Sequence, residues 1–156
     1  MQPGSPLAHR GFTLPALLLM VMLVSLAAAT TGPLWSHTER RDRERELIKI
    51  GSLYADALTA YRQASPGTTR QFPERLEELL LDPRFVGYRR HLRRLYPDPL
   101  QPSAPWGLVR DEQGRIAGVH SLSEQAPIAH APALPSRQKL QPAGRYRDWK
   151  FMGETP

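Results

Sequence analysis

Five histidines, His9, His37, His91, His120 and His130, are the side chains best suited to proton transfer or metal binding in this chain. Their spacing advertises neither. None stands in a His-Glu-x-x-His arrangement, no Gly-x-Ser-x-Gly elbow occurs, and no glycine-rich loop is built to cradle phosphate. His120, Ser121, Ser123 and Asp148 supply the residue types of a base, a nucleophile and an orienting acid. A triad is defined by geometry, however, and ordinary hydrogen bonding is the simpler reading of such a set. Glu74, Glu77 and Glu78 resemble paired acids, but acids that cleave a glycosidic bond also need a cleft and substrate-binding groups, so their spacing fits a charged helix face better. Cysteine is absent, which removes disulfides, zinc-thiolate sites and a cysteine nucleophile without excluding an oxidising compartment. We therefore expect no catalytic residue in this chain.

The more informative chemistry is chemistry done to the chain. Arg10, Gly11, Phe12, Thr13 and Leu14 set a basic residue and a glycine immediately before an apolar stretch that holds no Asp, Glu, Lys or Arg until Glu39. A secretory leader is cut after its apolar segment, whereas a cut between Gly11 and Phe12 removes only a polar leader, residues 1–11, and leaves the apolar segment on the mature protein. Residues 12–31 are twenty positions; as an α-helix they reach roughly 30 Å, the thickness of a bilayer's hydrocarbon core. Leu17 to Leu26 is apolar on every side apart from Ser25, the mark of a lipid-facing or buried helix, so membrane lipid is an expected partner. Pro15 falls in the first turn, where its missing N–H costs little. Arginines flank the segment on both sides, and the positive-inside rule alone does not orient it. Ala27-Ala28-Ala29 also satisfies the small-residue pattern of an ordinary signal peptidase site, and a cut after Ala29 would release a soluble exported binding protein.

Gly11-Phe12-Thr13-Leu14 resembles the N-terminal processing motif of type IV pilins and of the pseudopilins of type II secretion systems. Further residues carry the likeness: Pro33, the twenty-second residue after the cut, where pilin-like helices often bear a proline; Gln71-Phe72-Pro73-Glu74-Arg75-Leu76-Glu77-Glu78-Leu79, similar to a segment that follows the long helix; and Leu95-Tyr96-Pro97-Asp98-Pro99-Leu100, similar to a proline loop of the major pseudopilins but one residue shorter. Gly118 to Glu124 looks like the glycine- and serine-containing strand end of that family. The resemblance implies cleavage between Gly11 and Phe12 by a prepilin peptidase and N-methylation of Phe12. It also implies a single-pass inner-membrane protein with its C-terminal domain in the periplasm, whose partners are other pseudopilins and a secretion platform in the inner membrane. A minor pilin of a type IV pilus would read almost identically. Two departures matter. The fifth mature position, usually glutamate in the family, is Ala16, whose methyl group cannot make the carboxylate's charge-assisted bond to a neighbouring amino terminus, and this leans toward a minor or capping subunit. Major pseudopilins also commonly bind calcium through acids before the last strand, whereas residues 125–147 contain no Asp or Glu, so no such metal site and no cofactor is expected.

The elements follow from periodicity. We expect an α+β, pilin-like fold: a cytoplasmic leader over 1–11, a transmembrane helix over 12–34, and a periplasmic domain over 35–156. A 156-residue chain leaves room for one small domain after the apolar segment. From Thr38 the pattern is helical, with Leu47, Ile50, Tyr54, Ala57, Leu58 and Tyr61 on one stripe and a charged first section over 39–46, stopping at Ser65-Pro66-Gly67. A second helix is expected from Pro73 to about Leu81. Trp106–Arg110 and Ile116–Leu122 are predicted to form a hairpin around Gly114, and Asp148–Met152 a last strand, giving about three antiparallel strands. Trp106, Val109, Ile116, Val119, Trp149 and Phe151 are expected to cover Tyr54, Leu58 and Tyr61. The net charge is +6. Arg84, Arg89, Arg90, Arg93 and Arg94 read as a basic patch around His91, anchored by Leu92 and Leu95, suited to headgroups or a neighbouring subunit. No nucleic-acid-binding motif accompanies it, and we expect no nucleic-acid partner.

Overall fold

The computed structural model of the chain describes residues 13–29, 32–129 and 140–154. It is an α+β structure of two helices and a three-stranded antiparallel sheet. Two compact units divide between Arg40 and Arg41.

Helix α1, Thr13–Ala29, belongs to the first unit. Leu14 and Leu17 through Val24 are all more than half exposed, so no side of this helix is a core face. Ser25 donates its hydroxyl to the Val21 carbonyl at 2.8 Å, which satisfies the one polar side chain of the stretch within its own helix. Phe12, Thr30 and Thr31 of the expected apolar helix lie outside the described residues. No helix among the described residues is long and apolar enough to cross a membrane; the 17 residues of α1 rise about 26 Å at ~1.5 Å each.

Helix α2, Gly32–Gln63, begins six residues before the expected Thr38, because Pro33 sits in the first turn, where a proline starts a helix rather than breaking it. In the second unit the predicted stripe is the buried one: Leu47, Ile50, Tyr54, Ala57, Leu58 and Tyr61 all lie in the core. The helix ends at Gln63, and the chain then turns through Gly67 at a φ of 85°, a conformation that glycine adopts without a Cβ penalty.

The sheet has the order β1 (Gly107–Arg110), β2 (Ile116–His120), β3 (Phe151–Met152). The predicted hairpin forms, with Leu108 opposite Val119 and a bulge between Val109 and Arg110. Asp111 makes its turn: the carboxylate accepts the N–H groups of Gln113 at 3.0 Å and Arg115 at 2.8 Å, while Gly114 takes a φ of 78°. Three expectations need correction. The second strand stops at His120 rather than Leu122. The last strand is only Phe151–Met152, because Tyr146–Asp148 forms a 3₁₀ turn whose carbonyl at Tyr146 takes the Trp149 N–H at 3.0 Å before the ladder can begin. Val109 is only half-buried. Trp106, Ile116, Val119, Trp149 and Phe151 are buried in the same core as Tyr54, Leu58 and Tyr61 of α2, with the Trp106 ring 5.4 Å from that of Tyr54; full burial of a side chain of this size is worth about 1.5–3 kcal/mol.

The expected helix from Pro73 to Leu81 is instead a single 3₁₀ turn, Leu76–Leu79. Arg75 is extended (φ −133°, ψ 149°), with its N–H on the Glu78 carboxylate at 3.2 Å, so a helix cannot start earlier. It does not run on past Leu81, where Pro83 has no N–H to give the Leu79 carbonyl, which instead accepts the N–H groups of His91 at 2.9 Å and Leu92 at 2.8 Å. The apolar edge survives this change: Leu79 is buried, with Leu76 and Leu80 packed beside it.

Candidate functional site

Of the processing residues, Thr13 and Leu14 open α1, while Arg10, Gly11 and Phe12 lie outside the described residues. Ala16 is an exposed residue of the same helix. Every other functional group described here belongs to the unit that starts at Arg41.

Asp82 organises the region read as a basic patch. Its side chain is fully buried, between the 3₁₀ turn and the loop that follows it. Arg84 closes back over two residues, donating Nε to Oδ1 at 2.8 Å and Nη2 to Oδ2 at 2.6 Å, a bidentate pair. The same guanidinium reaches the Tyr61 carbonyl at 2.7 Å and the Ser65 hydroxyl at 2.7 Å, and lies 3.6 Å over the Tyr61 ring. His91 Nε2 approaches Asp82 Oδ2 at 3.1 Å. Burial disfavours the charged carboxylate, but the hydrogen bonds from Arg84 and His91 outweigh it and hold the Asp82 carboxyl at about 2. Tyr61, donating to Glu78 at 2.6 Å, has its phenol pushed up by burial and by that bond. The predicted patch is therefore corrected: Arg84 and His91 turn inward onto Asp82, and Leu95 is exposed, whereas Leu92 is buried as expected. Arg89, Arg90, Arg93 and Arg94 remain at the surface, with Arg94 4.8 Å over the Tyr96 ring.

Two further buried carboxylates escaped the sequence reading. Glu44, on the section of α2 read as a solvated charge run, is only 5% exposed. It accepts the Ile128 N–H at 2.7 Å, the Ala129 N–H at 3.0 Å and the Tyr146 hydroxyl at 2.5 Å. Asp98, in the expected proline loop, is fully buried and accepts the Leu100 N–H at 2.9 Å and the Ser121 hydroxyl at 2.5 Å. An Asp bonding the amide two residues on is legible in hindsight from Pro97-Asp98-Pro99. The partner Ser121 is not. The loop is fixed at its start by Tyr54, whose hydroxyl donates to the Tyr96 carbonyl at 3.0 Å and accepts the Tyr96 N–H at 2.9 Å, while the Trp106 indole donates to the same carbonyl at 2.8 Å.

The four residues of the paper triad do not come together as one. Ser121 gives its hydroxyl to Asp98, the His120 ring approaches the Ser121 backbone carbonyl at 2.9 Å, and Asp148 lies exposed in the turn after Arg145. Glu74 and Glu77 are exposed, and Glu78 is engaged with Tyr61 and Arg75. Among the described residues no group of three or more His, Asp or Glu side chains is placed to hold a metal ion.

One concave surface runs beside α2. Two adjoining depressions of about 440 and 470 Å³ share Glu46, Ile50, Arg94 and Tyr96. The first adds Arg43 and the proline loop, the second Arg45, Lys49 and Leu53. The cations lining the two depressions are Arg43, Arg45, Lys49 and Arg94, of which Arg45 pairs with Asp42; the acids lining them are Glu46 and the buried Asp98. Comparison of the chain with protein-family models, with curated proteins and with solved structures finds no match.

Proposed function

We propose that the chain is a pseudopilin-like structural subunit of a type II secretion system. A prepilin peptidase cuts between Gly11 and Phe12 and methylates the new amino group of Phe12. The apolar segment then holds the subunit in the inner membrane, with the domain that follows in the periplasm. The observation that carries this reading is α1: a helix apolar on every side that begins directly after Arg10-Gly11-Phe12 and is followed by a helix packed on a small antiparallel sheet. Phe12, Thr30 and Thr31 supply the rest of the apolar length on this view. Subunits joined through these segments form a periplasmic fibre whose growth moves exported proteins outward. Ala16 leaves this subunit without the carboxylate that would pair with a neighbour's amino terminus, which suits a minor or capping position; the same features suit a minor pilin of a type IV pilus.

A second reading has its own observation. Helix α1 ends at Ala29, the last of three alanines, where signal peptidase would cut to release a soluble exported binding protein. Expressing the chain with and without a prepilin peptidase separates the two. Loss of residues 1–11 only when that enzyme is present, blocked by Gly11→Val, supports the subunit; cleavage after Ala29 in both strains refutes it.

A further inference from the structure

From the groove beside α2, we infer that the chain binds the phosphate headgroup of an anionic glycerophospholipid between Lys49 and Arg94. The inference rests on the membrane-anchored reading above. Three observations carry it.

Charge comes first. Lys49 and Arg94 are exposed and have no ion pair among the described residues, and Arg45 pairs only with exposed Asp42 at 3.1 Å. Such cations stay available to an outside anion, unlike Arg84, which Asp82 saturates. Shape comes second. Each depression, at 440 to 470 Å³, is of the size that small ligands occupy. The second depression is lined by Ile50 and Leu53 beside its cations, so a glycerol backbone and the first methylenes meet carbon while the phosphate meets nitrogen. The Tyr96 backbone is fixed by Tyr54 and Trp106, and the Arg94 guanidinium lies over the Tyr96 ring at 4.8 Å. Connectivity comes third. Lys49 follows the end of α1 by twenty residues in the same chain, so the segment that is proposed to enter the bilayer keeps the groove and the headgroups on one tether. An acidic segment of a neighbouring subunit would need a matching carboxylate row; a lipid surface needs only phosphate.

The test uses the full chain in neutral detergent micelles, titrated with dihexanoyl phosphatidylglycerol and, in parallel, with dihexanoyl phosphatidylcholine and inorganic phosphate, binding being followed by two-dimensional NMR. Saturable binding of the anionic lipid is expected, with shifts at Lys49, Leu53, Arg94 and Tyr96. The double variant Lys49→Glu, Arg94→Glu is expected to bind at least about tenfold more weakly while keeping the wild-type amide pattern elsewhere, because both side chains are exposed. Equal binding of the two lipids, phosphate binding as tightly as the anionic lipid, or an unaffected double variant overturns the inference. So does cross-linking of Arg94 to a second copy in place of lipid. The amino terminus of the same preparation, from cells that carry the peptidase, is read by mass: a Phe12 terminus without lipid binding sinks the groove alone, and a Thr30 terminus sinks the anchored reading as well.

Discussion

The Tyr146 hydroxyl donates to the Glu44 carboxylate at 2.5 Å, joining residues 102 apart in the chain. With the Ile128 and Ala129 amides on the same carboxylate, this one side chain ties both flanks of the connection between β2 and β3 to α2. Removing it takes the carboxylate acceptor from the Ile128 and Ala129 amides and from the Tyr146 hydroxyl. Glu44→Ala should cost about 1–3 kcal/mol, the range for leaving buried polar groups without a partner, and Tyr146→Phe about 1 kcal/mol. Thermal unfolding followed by near-ultraviolet circular dichroism measures both, and amide exchange at Ile128 and Ala129 should accelerate in the first variant. Unchanged exchange there would contradict the tie.

Gly51 brings α2 against the sheet. A Cβ at this position would fall on the ring of Phe151, itself fully buried on β3. Gly51→Ala should therefore destabilise the domain by about 1–3 kcal/mol despite alanine's better helix propensity. Adding Phe151→Leu should recover part of that loss, whereas the two changes would simply add if the residues were not in contact. Unfolding midpoints of the two single variants and the double variant decide between these outcomes.

Asp82 makes stability depend on acid. Its carboxyl is held at about 2 in the folded state, against 3.8 as the ordinary value. A depressed carboxylate contributes fully above the ordinary value and loses its contribution as pH falls toward the folded one, so about 2 kcal/mol should disappear between roughly pH 4 and pH 2. Asp82→Asn should flatten that part of the stability curve. It should also free Arg84 from Tyr61 and Ser65, which chemical shifts of the Tyr61 ring would register.

Ala16 is a test of assembly rather than folding. If the missing carboxylate limits incorporation into a fibre, Ala16→Glu should raise the fraction of subunit recovered with fibres several-fold, a charge-assisted contact being worth roughly 1.5–3 kcal/mol. The same fraction in both proteins would show that Ala16 is not limiting.

Periodicity exposed the parts of this fold that repeat. The α2 stripe from Leu47 to Tyr61 and the hairpin around Gly114 were legible because a half-buried helix or strand writes its burial into the spacing of its apolar residues. Elements fixed by tertiary hydrogen bonds leave no such spacing. Leu76–Leu79 carries helical apolar positions, yet the His91 and Leu92 amides capture the Leu79 carbonyl from a distance that no local window spans. Glu44 sits in a charge run and looks solvated in the sequence, and Asp82 follows three leucines with no sign of its partners; what engages them is a tyrosine at position 146 and an arginine folded back from position 84. The groove was equally hidden, because it joins Lys49 to Arg94 across forty-five residues.

The mass of the mature amino terminus, taken from the protein in its native membranes, tests the proposed function most directly. The account predicts a chain that begins at methylated Phe12 and stays with the membrane. A chain that begins at Thr30 and is recovered in the soluble exported fraction would contradict it.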